Sequence, residues 1–200
     1  MNQTISYYDK NAKEFCKNTI DADMSFCRDK FLKYLSAGAS ILDAGCGSGR
    51  DSVAFKQHGY HVTAMDASPE ICKEAEKVLG QKVLCKIFEE VDDENVYDGI
   101  WACASLLHVP KKSMGEVLYR LKHALKDGGV LYASFKYGEE EKVVSGRLFS
   151  YYNEQSLSAL MRENGFGVLE LFVTQDVRES RSEEKWVNVV GEKGEKCKWT

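Results

Sequence analysis

Ser40-Ile41-Leu42-Asp43-Ala44-Gly45-Cys46-Gly47-Ser48-Gly49-Arg50-Asp51 is the stretch that decides the fold. Ile41 and Leu42 open it as a short apolar run of the buried-strand type, and Asp43 follows. Glycines then stand at every second position from Gly45 to Gly49, and Val53, Ala54 and Phe55 continue with a helical pattern. Strand, glycine turn and helix in that order make a nucleotide-type binding loop. Glycine lets the backbone come close to a ligand, and a helix N-terminus offers unpaired N–H groups. The spacing excludes the dinucleotide fingerprint. Its third glycine would fall three residues after the second, where Arg50 stands.

A second acid lies at the expected separation. The strand-like run Tyr60-His61-Val62-Thr63-Ala64-Met65 ends at Asp66, roughly 20 residues after Asp43, the distance of an acid that reaches ribose hydroxyls in an α/β nucleotide site. Together, Asp-x-Gly-x-Gly-x-Gly and Asp66 resemble the first motifs of the class I S-adenosylmethionine-dependent methyltransferases. Tyr97-Asp98-Gly99-Ile100 with Leu106-Leu107-His108-Val109 resembles the family's Phe-Asp-x-Val…Leu-x-His-Val pattern. The resemblance runs from about residue 38 to 191 and is nearest to the small bacterial tellurite-resistance-like enzymes.

That resemblance implies an α/β fold of Rossmann-like type: a seven-stranded, mostly parallel sheet, an antiparallel last strand, and helices on both faces. It implies S-adenosylmethionine as cofactor, with S-adenosylhomocysteine as product. Asp43, Ala44, Gly45 and Cys46 would surround the donor with Gly47, Gly49 and Arg50. Asp66 and Ala67 would take the ribose, Phe88 and Glu89 the adenine, and Ala102, Cys103 and Ser105 the sulfonium side. Tyr8, in an N-terminal helix over the site, would touch the methionine end, although Tyr7 and Tyr8 equally suit a helix core. The family's acidic-alanine pair at the adenine loop is absent here.

Composition bounds the remaining possibilities. Two hundred residues, 44% hydrophobic and 29% charged, suit one globular domain. The expected division is a helical cap over 1–37, a core over 38–191 and a flexible tail over 192–200. A net charge of −4 argues against a nucleic-acid surface, which leaves a basic footprint. No apolar run reaches membrane-span length, and the start has no signal-peptide core. Seven cysteines without a CxxC pair suggest free thiols, no metal site and a cytoplasmic protein. A monomer or a homodimer is equally compatible.

Further elements follow from local signals. A helix is expected from Ser25 to Leu35, and Ser68-Pro69-Glu70 start another that stops at Gly80. Strands are expected over Lys82–Lys86, Tyr97–Ala102, Val130–Phe135, Phe166–Val173 and Lys185–Gly191, and Lys136 to Asn153 reads as a long polar loop. Asn153 caps a helix carrying Leu157, Leu160 and Met161.

No catalytic triad is present, and an activated methyl donor needs none. Alignment and exclusion of water supply much of the rate, and a base matters only for a protonated acceptor. His108 is the one histidine in a ligand-facing loop and the candidate catalytic base. Lys136, Arg147, Arg178 and Arg181 converge with Tyr151 on the same end of the sheet. Arginine suits the bidentate recognition of an anion. Tyr152 and Trp186 are further candidates for the wall. The expected activity is methyl transfer to a small, possibly anionic, molecule. The alternatives are an RNA (tRNA) methyltransferase or a non-catalytic cofactor-binding regulator, and the Asn/Asp-Pro-Pro-Tyr/Phe pattern of many base-amine methylators is absent.

Overall fold

The computed structural model describes residues 2–178 and 181–194. Helix α1 (Asn2–Thr19) and α2 (Ser25–Leu32) precede an alternating series: β1 (Ser40–Ala44), α3 (Arg50–Gln57), β2 (His61–Asp66), α4 (Pro69–Leu79), β3 (Leu84–Cys85) and β4 (Tyr97–Ala102). Then come α5 (Lys111–Ala124), β5 (Leu125–Lys136), β6 (Glu141–Val144), β7 (Arg147–Ser150), α6 (Glu154–Glu163), β8 (Phe166–Gln175) and β9 (Lys185–Lys193). Seven strands form one sheet in the order β3-β2-β1-β4-β5-β9-β8, and β6 pairs with β7 in a separate hairpin. β9 runs antiparallel to both neighbours and the other interior pairings are parallel. The order reverses between β1 and β4, the point where open α/β sheets bind ligands at the strands' carboxyl ends.

Strand alternation supplies two cores. Leu42, Ile100 and Leu131 share one face and pack under α5 with Met114, Val117, Leu118 and Leu121. Ile41, Trp101 and Tyr132 face the other way, against Phe31 of α2 and Phe55 of α3. Trp101 stacks on Tyr132 with ring centroids 3.9 Å apart. Each such fully buried large side chain contributes about 2 kcal/mol through removal from water. Gly99 is needed here for space, because a Cβ at that position would lie 2.6 Å from the Phe31 ring.

The start and stop signals act as expected. Ser68 accepts the Ile71 amide at 3.2 Å, Pro69 holds the first helical position, and Gly80 closes α4 in a left-handed conformation. Asn153 accepts the Ser156 amide at 2.8 Å and caps α6.

Several boundaries differ from expectation. The Lys136–Asn153 segment is the β6–β7 hairpin, not a loop. Val143, Val144, Leu148 and Phe149 flank Ser145-Gly146, both at positive φ, which is two-residue hairpin-turn geometry. α2 stops at Leu32 instead of Leu35, β3 shrinks to two edge residues, and β5 starts earlier, at Leu125. Of the expected tail, 192–193 complete β9. Residues 195–200, with Cys197, lie outside the described residues.

Candidate active site

The glycine turn and the next strand build one end of a cavity of about 410 Å³, within the ordinary range for small-ligand sites. Gly45 sits at φ +88°, and a Cβ there would lie 2.4 Å from that of Ser105. The turn is tied back to β2, since the Gly45 and Cys46 amides donate to the Met65 carbonyl at 2.9 and 2.8 Å. Gly47 N–H donates to Asp66 Oδ2 at 3.1 Å and Ser68 N–H to Oδ1 at 3.0 Å. Two backbone amides therefore aim the Asp66 carboxylate, whose remaining lone pairs suit a diol. Burial raises the pKa of Asp66, and the amides of Ser68, Gly47 and Ala67 oppose that rise.

Two further acids lie behind the turn in opposite states. Asp51 accepts from Arg28 (2.8 Å), Arg50 (2.6 Å) and the Trp101 indole (3.0 Å). Despite burial, the Arg50 and Arg28 guanidiniums hold it below the usual carboxylate range. Asp43, 2% exposed, has one hydrogen-bond partner, the Ser52 hydroxyl at 2.6 Å. Burial, then the neighbouring Asp51 charge, push its pKa up to about 7.

The other end of the cavity is assembled from distant segments. His108 Nδ1 lies 2.6 Å from the Leu148 carbonyl on β7, and Nε2 lies 2.8 Å from the Tyr8 hydroxyl on α1. A carbonyl only accepts, so Nδ1 carries the proton and Nε2 accepts from Tyr8. Burial lowers the His108 pKa to about 4, so the ring is neutral. Arg147 stacks on Tyr7 at 4.3 Å and on Phe149 at 5.2 Å. Its Nε is buried and has no hydrogen-bond partner.

Twelve of the expected cofactor and catalytic positions line this cavity: Asp43, Gly45, Cys46, Gly47, Arg50, Asp66, Ala67, Phe88, Cys103, Ser105, Tyr8 and His108. Ala44, Gly49, Glu89 and Ala102 do not. Ala44 and Ala102 are fully covered inside the sheet, Gly49 packs on Leu79, and Glu89 turns a buried oxygen away from any partner. Lys136, Arg147, Arg178 and Arg181 all line it, whereas Tyr151 lies on the hairpin's outer side beside Lys142. Tyr152 is core, against Phe135, and Trp186 is in the wall. Three of the cations differ in partnership. Arg178 is doubly bound to Asp176 and Lys136 is paired with Glu184, while among the described residues Arg147 has no acid partner. Asp51, Ser134, Phe149 and Phe15 also line the cavity and were not anticipated. For Asp51 a signal existed, an acid in the first turn of α3. Among the described residues no cluster of His, Cys, Asp and Glu could hold a metal ion. Among the described residues no helix is long and apolar enough to cross a membrane.

Comparison with known proteins now defines the class. Residues 19–171 match the family model described as a methyltransferase domain. The chain is 30% identical over 128 residues to the 2-methyl-6-phytyl-1,4-hydroquinone methyltransferase of Synechocystis sp., covering 60% of this chain and 39% of that protein. It is 34% identical over 115 residues to a ubiquinone biosynthesis O-methyltransferase of Xylella fastidiosa, covering 52% and 46%. The chain thus spans less than half the length of these two relatives. Its fold is similar to that of the Burkholderia thailandensis 1,6-didemethyltoxoflavin-N1-methyltransferase solved with 1,6-didemethyltoxoflavin and S-adenosylhomocysteine. There the TM-score is 0.83 and the identity 22%, with 97% of this chain and 88% of that one covered. The chain belongs to the methyltransferase-domain family. Its fold is the Rossmann-like one expected.

Proposed function

We propose that this chain transfers a methyl group from S-adenosylmethionine to a small anionic acceptor held beside Arg147, within one domain whose first 37 residues cap the core. The observation that carries this reading is the buried, unpartnered Nε of Arg147 in the wall of a cavity whose other end is acidic. Leaving such a donor unmet costs about 1–3 kcal/mol, which an anionic ligand returns. The quinone-type and toxoflavin-type relatives act on small molecules, in keeping with a cavity of small-ligand size and a net charge of −4.

The residues present fit the cofactor. Asp66, aimed by two amides, suits a ribose diol, and Phe88 offers an apolar face for adenine. The bare backbone from Gly45 to Gly47 permits close approach, and Asp43 and Asp66 give the charge complement to a cation. S-adenosylmethionine supplies an activated methyl on a positively charged sulfur, so alignment and dryness matter more than a strong base. α1 and the β6–β7 hairpin supply that dryness. Their cross-links are the Tyr8–His108–Leu148 chain and the Thr4 hydroxyl on the Leu148 amide at 3.1 Å. We read His108 as a positioning residue: its only lone-pair nitrogen is occupied by Tyr8.

The test is calorimetric titration of S-adenosylhomocysteine into the full chain, followed by an acceptor screen with carboxylates, phenols, thiols, tellurite and tRNA. Micromolar nucleoside binding is expected. With the acceptor found, Arg147→Ala should raise its KM about tenfold and leave nucleoside affinity unchanged. A tRNA acceptor, or a KM indifferent to Arg147, would overturn the anionic small-molecule reading. Binding without turnover of any acceptor would favour a regulator.

A further inference from the structure

Outside the cavity, Cys72 and Cys85 flank Asp66 from two elements. Cys85 is the register partner of Asp66 in the β2–β3 pairing, and the Cys72 thiol on α4 donates to the Asp66 carbonyl at 3.4 Å. Both cysteines line a shallow surface depression with three lysines, Lys73, Lys82 and Lys86, and one acid, Glu76, whose carboxylate accepts the Val83 amide at 3.0 Å. Lys73 pairs with Glu70 and Lys86 with Asp92, whereas no acid pairs with Lys82 among the described residues. Cys85 is exposed and Cys72 buried. Burial, the Asp66 charge and the neighbouring Cys85 thiol raise the pKa of Cys72, and exposure makes Cys85 the thiol that meets an incoming disulfide first, with Cys72 left to resolve.

We propose that Cys72 and Cys85 form a reversible disulfide, by exchange with a small anionic disulfide drawn to these lysines, that weakens the cofactor site. The Cys85 thiolate attacks one sulfur of the incoming disulfide, forming a mixed disulfide and expelling one thiolate. Cys72 then gives up its proton and attacks the Cys85 sulfur as the thiolate, forming the protein disulfide and expelling a second small thiolate; the protons lost by the two cysteines end on the two small thiolates. The small disulfide is the oxidant, and it leaves as two thiols.

The coupling is local. Once bonded to sulfur, Cys72 no longer donates to the Asp66 carbonyl. Its helix also begins at Ser68, whose amide aims the Asp66 carboxylate and whose hydroxyl donates to Asp9 of α1 at 2.6 Å. β3 is a two-residue edge strand, so little pairing resists its movement toward α4. The functional half of this inference rests on the assignment of Asp66 to the nucleoside.

The experiment exposes the full chain to oxidised glutathione, maps disulfide-linked peptides by mass spectrometry, and titrates S-adenosylhomocysteine before and after. The expected result is a Cys72–Cys85 linked peptide, a protein lighter by two hydrogens, and affinity weakened about tenfold or more, restored by dithiothreitol. Cys85→Ser should form no link and should keep its affinity under the same treatment. Absence of the linked peptide overturns the proposal whatever the nucleoside does, and so does a linked protein with unaltered affinity. Failure of the reduced protein to bind the nucleoside instead removes the Asp66 assignment and the functional half with it.

Discussion

The two ends of the cavity are built in opposite ways. At the carboxyl ends of β1 and β2, Asp43 is buried and Asp66 half-buried, and among the described residues no cation pairs with either; backbone amides and one hydroxyl hold their carboxylates. At the hairpin end Lys136 and Arg178 have acids of their own, while among the described residues no acid pairs with Arg147, whose Nε is buried, or with the exposed Arg181. Between the ends, Asp51 shows what full pairing does, since two arginines keep it ionised in a burial like that of Asp43. The full pairing of Asp51 contrasts with Asp43, Asp66 and Arg147, which on the proposed function meet ligands instead. The polarity matches a cationic donor at one end and an anionic acceptor at the other.

The largest expected effect separates the two ends by pH. Asp43 titrates near 7 when folded against about 3.9 unfolded, so the folded state holds the extra proton between those values. Its contribution is full below the unfolded value and is lost as pH rises to 7, on the order of 4 kcal/mol. His108 has the reverse sign. Its pKa falls from 6.5 to about 4 on folding, so its contribution grows as pH rises through that window, by about 3 kcal/mol. The two slopes oppose each other in the wild type. Urea melts at stepped pH should show Asp43→Asn gaining stability relative to wild type from pH 4 to 7. His108→Gln should gain relative to wild type on going down from pH 6.5 to 4. If both variants shift in the same direction with pH, the two ends do not differ in the way described.

Next in size is a dissociation of binding. Asp66→Ala removes the aimed acceptor and should weaken S-adenosylhomocysteine about a hundredfold, with no change in acceptor KM. Arg147→Lys keeps the charge but loses the planar donor set, so it should raise acceptor KM severalfold without touching nucleoside affinity. Crossed effects, with each variant moving both constants alike, would show one continuous site and remove the distinction.

The same division separates what the sequence showed from what it concealed. The acidic end comes from Ser40 to Asp66, where motif, strand and turn are contiguous, so Asp43, Gly45, Gly47 and Asp66 could be named from their spacing together with the family resemblance. Ala44, Gly49 and Ala102 sit in the right stretches but face the sheet or a helix, because strand alternation assigns the faces and a motif does not. The cationic end joins residues about 100–140 apart, as in Tyr8 with His108 and Thr4 with Leu148. No local pattern encodes such pairs. The four cations could be named, yet which of them had an acid partner depended on Asp176 and Glu184 folding back onto the cavity wall. The hairpin that carries Arg147 reads from sequence as a polar loop. Its Glu-rich start masked the alternation that follows, although Ser145-Gly146 between apolar pairs is a hairpin signal.

The smallest expected effect tests whether the cationic end is recognition alone. Tyr8→Phe deletes the proton that the hydroxyl gives to His108 Nε2 and keeps the ring that packs on Phe15 at 5.0 Å. The loss is one partly buried hydrogen bond, about 1 kcal/mol, or 2–4 °C in melting temperature for a chain of this size. With His108 Nε2 freed, the rate should fall no more than severalfold, since closure of α1 over the site survives on Thr4 and the aromatic contacts. A fall of about a thousandfold in kcat, with both binding constants intact, would mean that the Tyr8 oxygen takes part in the proton chemistry of the acceptor. Then the hydroxyl, turned toward the cavity once its own proton is committed to His108, would be the group that receives the acceptor's proton. The cationic end would hold chemistry as well as charge.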